Sequence, residues 1–356
     1  MIAYFPELND EELVYSWFAR YFAHMYPSYT NALEDLLENR HIRTDVEFIN
    51  RLSEDSKTVI SKRISMERLI LEHTMFPYYR FCGSERLNHA LKSLSEGENA
   101  HKLLPVSKSK TVAQIHYLKY CPLCVLEESD AYGEAYWKRD SVMRNINICT
   151  KHKCRLKSTD IEISGKQSPR LYIAEEEICD ISYSSVDAEG LEFNFTKYMI
   201  DVFHRPIDFS NSIAIGEFLK SRLEGTKYLS VRGMQMQISL LLEELKEFFK
   251  AMSGETICSD NSLVQGTPDY GISQIHHLQH IFSGKKYDFY KICQLAYFLN
   301  ISPDDLVNPK LPQITQTEIY NKKITNLRRN NFLASYEHLH LFVDEDTASK
   351  IKSLLV

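Results

Sequence analysis

The sequence predicts a mainly α-helical protein, in which a small cysteine-centred domain with short strands lies between an N-terminal helical region and C-terminal helical units. Three observations carry this. Only 12 glycines occur among 356 residues, and long stretches rich in Leu, Glu, Lys and Ile favour helix over a turn-rich sheet protein. Apolar residues recur at helical spacing toward both ends of the chain. Between them, cysteines and a histidine come in closely spaced pairs.

The length is enough for two or three domains. Hydrophobic residues make up 44% and charged residues 25%, the profile of a folded globular chain rather than a disordered one. The expected layout is a helical region over 1–103, a metal-binding domain over 104–190, two helix-turn-helix-like units over 191–310 and a helical tail over 311–356. No apolar run reaches the roughly 18 residues a membrane helix needs, and the first ten residues lack a signal-peptide layout. A cytoplasmic protein is therefore expected, where eight cysteines point to metal or redox chemistry rather than disulfides.

A net charge of −6 argues against indiscriminate coating of nucleic acid. The charge is uneven, however. Residues 1–100 carry 11 Lys/Arg against 16 Asp/Glu, residues 101–170 carry 13 against 7, and the remainder 18 against 25. Positive charge gathers around the cysteine cluster, as expected of a protein that meets a polyanion with one face and a protein with another.

Taken in order, Leu13, Trp17, Phe18 and Tyr21 form a helical stripe behind the acidic run Asp10-Glu11-Glu12, which core packing explains on its own. Amphipathic patterns follow over 31–37 and 64–74. Pro77 in Phe76-Pro77-Tyr78-Tyr79 is expected to break the helix, since it lacks an N–H and restricts Phe76. Residues 104–111 read as a linker, and 155–190 as short strands or irregular chain.

The decisive residues are Cys121-Pro122-Leu123-Cys124 and Cys149-Thr150-Lys151-His152. Two thiolates two residues apart bind one ion from a tight turn, and a Cys-x-x-His turn completes a tetrahedral shell for Zn²⁺. Four protein ligands leave no open position, so the expected zinc is structural. Cys154 is the alternative ligand. Cys82, Cys179, Cys258 and Cys293 are isolated and read as small buried hydrophobes. Other chemistries fail on their requirements. A redox Cys-x-x-Cys wants a βαβ setting. A nucleobase deaminase needs an upstream His-x-Glu, which His101-Lys102-Leu103 and His116-Tyr117-Leu118 do not supply. Gly165-Lys166 and Gly284-Lys285 lack the rest of a phosphate loop. No catalytic constellation is found, and the chain is expected not to be an enzyme.

Downstream, Ile215, Phe218, Leu219 and Leu223 form a helical face stopped by Gly225, a left-handed cap. A second face, Ile238, Leu241, Leu242, Leu245, Phe248, Phe249 and Met252, follows the polar lead Arg232, Gln235 and Gln237. In a helix-turn-helix, such residues at the start of the second helix read the major groove. The arrangement recurs with Ile272, Ile275, Leu278 and Phe282, a Gly284-Lys285-Lys286 turn, then Phe289, Ile292, Cys293, Ala296 and Leu299. Ser302-Pro303 opens a further short helix with a good N-cap. Packed helices joined by any short turn give the same pattern, so plain packing is the competing reading.

The segments Tyr4-Phe5-Pro6, 12–20, 71–79, Tyr120-Cys121-Pro122-Leu123-Cys124, 132–140 and Cys149-Thr150-Lys151-His152 together resemble the TniQ family of target-selection proteins of Tn7-like transposons, above all its TnsD-type branch. The resemblance spans residues 1–155 and extends more loosely to the helix pairs after 211. It implies a TniQ-type zinc-finger domain in a non-enzymatic adapter that marks an insertion site on double-stranded DNA and recruits the AAA+ ATPase TnsC. TnsD-type proteins usually carry a longer C-terminal DNA-reading region, and some short TniQ proteins instead attach to a CRISPR RNA-guided complex, so direct site binding is the first reading and the guide-complex adapter its alternative. A zinc-stabilised helix-turn-helix transcription regulator is the reading from another class. DNA contact is expected from Lys138, Arg139, Lys151 and Lys153 beside the zinc, and from Arg232, Gln235, Gln237, Lys285, Lys286, Arg328 and Arg329 downstream. The ATPase is expected to meet the acidic N-terminal region at Tyr15 and Trp17, and a homodimer is a further expectation.

Overall fold

A computed structural model describes residues 5–25, 36–38, 42–43, 52–96, 104, 116–163, 167–168, 171–229, 236–250, 252, 275–285 and 288–311. The chain is mainly helical, as the sequence predicts. Helix α1 (Val14–Met25) follows a tight turn in which Glu12 accepts from the Asn9 N–H at 3.0 Å. Every residue from Val14 to Phe22 is buried, Ser16 and Arg20 included. A helix with no solvent face over two turns belongs to the centre of a fold.

Helices α2 (Glu54–Ser61) and α3 (Met66–His73) are each opened by a serine, Ser53 and Ser65, whose hydroxyl accepts an otherwise unpaired N–H of the first turn. The amphipathic pattern over 64–74 is α3. Pro77 does more than end it. It occupies the first turn of a 3-10 helix, Phe76–Cys82, where a missing N–H costs nothing. Helix α4 (Ser84–Ser95) follows Gly83, whose φ of 98° no other residue adopts easily. Of the pattern over 31–37 only Leu36 and Leu37 are described, both buried, and of the expected linker only the buried Leu104.

Strand β1 (Ile42–Arg43) pairs antiparallel with a distant strand at Gln167–Ser168. Strand β2 (His116–Tyr120) leads into α5 (Pro122–Tyr132) and the single turn α6 (Arg139–Val142). Strands β3 (Ile148–Cys149) and β4 (Cys154–Arg155) make a hairpin, and β5 (Lys157–Ile163) returns alongside β2. Their antiparallel register runs from Tyr120↔Lys157 to His116↔Ile163, with an irregularity between Tyr117 and Lys119. The strand at 167–168 is β6, and a helical turn α7 (Ala174–Glu177) follows. Short strands over 155–190 were expected on β-branched content and are present.

The remaining helices are α8 (Leu191–His204), α9 (Ile215–Leu223), α10 (Ile238–Phe248), α11 (Ile275–Phe282), α12 (Phe289–Phe298) and α13 (Pro303–Val307). Gly225 has φ 80°, the left-handed geometry expected after α9, and the Ser302 hydroxyl caps α13 by accepting from the Asp305 N–H at 3.1 Å. These helices pack out of chain order. Helix α9 lies on α11, α10 on α11 and α12, and α12 and α13 on α8. Gly216 is where α9 meets the end of α11: a Cβ there would sit 2.4 Å from the Ile281 carbonyl oxygen. The two expected units are thus interleaved rather than stacked as separate pairs.

One buried apolar cluster runs from Phe5 through Trp17, Trp137 and Ile161 to Phe289 and Leu306. It crosses both the 103/104 and the 190/191 borders. Phe289 of α12, for instance, stacks on Tyr78 at 4.8 Å and on Phe81 at 5.7 Å. Among the described residues, no helix is long and apolar enough to cross a membrane.

Candidate metal centre

Two turns build the site. In the first, Cys121 is the N-cap of α5, and its sulfur accepts the Cys124 N–H at 3.4 Å while Pro122 fills the position that needs no donor. In the second, the β3–β4 hairpin pairs Cys149 with Cys154 and loops through Thr150, Lys151, His152 and Lys153. The Cys149 sulfur accepts the His152 N–H at 3.5 Å. Lys153 closes the loop with φ 52°, and its N–H donates to the Cys149 carbonyl at 2.8 Å.

These turns bring the sulfurs of Cys121, Cys124 and Cys149 and one nitrogen of His152 within 4.8 Å of one another. His152 Nδ1 lies 3.4, 3.3 and 3.7 Å from the three sulfurs, and the Cys124 and Cys149 sulfurs are 3.8 Å apart. A tetrahedron with metal–sulfur bonds of about 2.3 Å has sulfur–sulfur edges of about 3.8 Å and sulfur–nitrogen edges of about 3.5 Å. The four donors therefore fit one tetrahedral ion with no movement of the backbone. As free thiols, Cys121 and Cys124 share a proton, the contact that pushes Cys121 down pushing Cys124 up. Cys154, the alternative ligand, lies outside this set. Its sulfur is 3.4 Å from that of Cys121, and burial pushes its thiol up to about 12. Of the isolated cysteines, Cys82 and Cys293 are buried as expected, whereas Cys179 is exposed; Cys258 lies outside the described residues.

The residues expected to touch DNA divide sharply. Lys138 is turned inward onto Glu128, itself buried, at 2.5 Å. Arg139 is 3% exposed, donates to the Glu72 carbonyl and covers the Phe203 ring at 4.7 Å. Arg139 is corrected from a contact residue to an internal one, because a guanidinium with almost no accessible surface cannot reach a phosphate; Lys138, its side chain 20% exposed, is drawn onto Glu128 and is at most a partial contact. Lys151 is exposed and tied to Glu127. Lys153 is exposed and makes no ion pair among the described residues. Gln237 is exposed at the start of α10, and Lys285 is exposed just past α11. Arg232, Gln235, Lys286, Arg328 and Arg329 lie outside the described residues.

Tyr15 and Trp17 are corrected as well. Trp17 has no exposed area, donates its ring N–H to the Pro6 carbonyl at 2.8 Å and meets the Phe5 ring at 4.4 Å. Tyr15 is 4% exposed, and its hydroxyl accepts the Tyr172 N–H at 3.0 Å. Side chains without accessible surface offer a partner nothing to hold.

Three features went unforeseen. Glu127, one turn after Cys124 on α5, accepts from His152 Nε2 at 2.9 Å. Arg20 bridges Glu12 and Glu134, each at 2.7 Å, and burial pushes the Glu12 carboxyl up to about 7 against the pull of Arg20. His204 stands between Asp140 at 2.6 Å and Glu11 at 3.5 Å. Ligand atoms of that trio also lie within 4.8 Å, but Arg139 is 3.8 Å from Glu11, and a protonated imidazole answers both acids where a second cation would be repelled. Only Glu127 had a sequence signal, its helical spacing from a ligand.

Comparison with known proteins agrees with the resemblance read from the sequence. Residues 3–156 match the TniQ family model. Over 155 residues, 42% of the chain, the sequence is 31% identical to the transposon Tn7 transposition protein TnsD of Escherichia coli, and it spans 30% of that relative's length. The matched region is TniQ-type and similar to TnsD, and it ends at Leu156, immediately after the hairpin that carries Cys149 and His152.

Proposed function

We propose that this chain selects target sites in Tn7-like transposition, as a non-enzymatic, cytoplasmic adapter that engages target DNA and recruits a TnsC-type AAA+ ATPase. The observation that carries this reading is the closed four-donor centre inside a region that matches TniQ and TnsD. Three thiolates and an imidazole at tetrahedral edges suit Zn²⁺. With no position left for water, the ion's part is to hold the α5 turn and the hairpin together. Lys153, Gln237 and Lys285, exposed on three different elements, are the groups offered to DNA.

A second reading has its own support. Arg139 is buried and Lys138 is paired with Glu128, which weakens the basic face beside the metal. A weaker face suits an adapter carried to its site by a CRISPR RNA-guided complex, where base pairing chooses the sequence. The test is a reconstitution with purified chain, ATPase and duplexes with and without the attachment site. Retention of the ATPase on attachment-site DNA alone supports direct targeting. Retention only when a guide complex is added supports the second reading, and site-specific DNA binding with no ATPase retained under either condition returns the transcription-regulator reading.

A further inference from the structure

We propose that Glu127 is a positioning residue of the metal centre, fixing His152 as an Nδ1 donor and so setting how tightly the ion is held. This rests on the four-donor site being a zinc centre. A neutral imidazole has one nitrogen with a lone pair and one with a proton. Nδ1 faces the three sulfurs at 3.3 to 3.7 Å, so the lone pair belongs there and the proton on Nε2. Nε2 faces the Glu127 carboxylate at 2.9 Å. A carboxylate only accepts, which makes the tautomer with Nδ1 free the favoured one.

The placement follows from both turns. Residues three apart share a helix face, so the α5 turn that presents Cys124 presents Glu127 beside it. From the hairpin, Lys151 bonds one oxygen of Glu127 while His152 bonds the other. The carboxylate is clamped by two consecutive residues of the loop it organises. Three thiolates, a neutral imidazole and a divalent ion sum to one negative charge, and Glu127 adds another; the ammonium of Lys151 offsets it. Glu127 is half exposed, so its effect comes from orienting the ring and from ligand basicity, not from a charge buried in the core. At 50% side-chain exposure its substitution is expected to leave the fold in place, which the melt of each variant checks.

The experiment measures zinc affinity of the full chain by chelator competition, together with the ring ¹⁵N and Nε2–H signals of His152, in the parent protein and in Glu127→Leu, Glu127→Gln and Lys151→Met. Removal of such a partner weakens metal binding by about 10- to 100-fold, and that loss is expected for Glu127→Leu with faster exchange of the Nε2–H. Glu127→Gln keeps an acceptor and is expected to recover much of the affinity, and Lys151→Met to lose the least. A mere surface ion pair would predict equal, small effects for Glu127→Leu and Lys151→Met. Affinity within twofold of the parent in Glu127→Leu, with an unchanged Nε2–H signal, overturns the inference and leaves the zinc centre standing. A parent chain that takes up no zinc overturns both.

Discussion

Helices α1 and α10 are similar in length and both read as amphipathic, yet they occupy opposite situations. α1 is enclosed from Val14 to Phe22, whereas α10 buries Leu241, Leu242 and Leu245 and leaves Glu243, Lys246, Glu247 and Phe248 in solvent. The difference lies in what surrounds the polar residues. Arg20 would be intolerable in a closed helix without the carboxylates of Glu12 and Glu134. Glu134 follows α5, and Leu13 and Ser16 bind the backbone of Trp137 at 2.9 Å each. The N-terminal helix is therefore part of the support of the region that carries the cysteine turns, whereas α10 keeps an open face. Deleting residues 1–20 would unfold the protein rather than remove a docking surface; charge reversal at the exposed Glu7 and Asp10 is the cleaner probe of ATPase contact.

The comparison can be broken most forcefully at the centre that α1 supports. Cys124→Ser is expected to abolish stoichiometric metal binding and lose most of the cooperative thermal transition, since metal binding is coupled to folding; metal analysis beside circular dichroism checks both. A substoichiometric protein with an unchanged melt would separate the ion from the fold. Next, Arg20→Met leaves Glu12 buried without its cation and is expected to cost about 3–5 kcal/mol in urea denaturation. A loss of a few tenths would mean that α1 has water access after all.

A smaller effect is expected where α8 meets the N-terminal turn. Burial disfavours the His204 imidazolium, but its hydrogen bond to Asp140 and the nearby Glu11 outweigh that and hold it above the ordinary histidine value, despite Arg139; burial also raises Glu11. The His204 contribution is therefore complete below about pH 6.5 and lost as pH rises through its raised folded value. His73, held low chiefly by burial, runs the other way, so the difference between parent and His204→Gln is the quantity to follow. It should be about 0.5–1 kcal/mol at pH 6 and shrink toward pH 9. A difference that grows with pH would reverse the assignment. Smallest in stability is Lys285→Ala on the open side, within about 0.5 kcal/mol of the parent. It is expected instead to weaken DNA binding on all sequences and lower the salt slope by about one unit, read by titration at two salt concentrations.

What the sequence made legible was short-range. The four residues of the candidate metal centre follow from spacing alone, as do the α3 helix and the caps at Ser302 and Gly225, because each depends on residues within one or two turns. The inward fate of Lys138, Arg139, Tyr15 and Trp17 was hidden, because it is decided by Glu128, Phe203, Tyr172 and Pro6, which only the folded chain brings up. The aromatic stripe of α1 is packing rather than a partner surface at Tyr15 and Trp17, and no local pattern distinguishes the two. The packing of α9 to α12 out of chain order escaped for the same reason: Gly216 marks a close approach only once α11 is seen against it.

Between Tyr120 and Lys157 the chain leaves and rejoins the same ladder, so residues 121–156 form a closed loop whose neck is β2 against β5. β2 runs into the neck and β5 away from it, so the far end of the ladder is the His116–Ile163 rung, where fraying is expected to begin. Opening is expected to proceed from there inward and to reach the neck last. The cysteine turns thus sit at the end of a zipper, and the amides nearest Tyr120 and Lys157 should be the slowest of the ladder to exchange with deuterated water. An ion held by these turns would sit in a loop whose neck is the last part of the ladder to open.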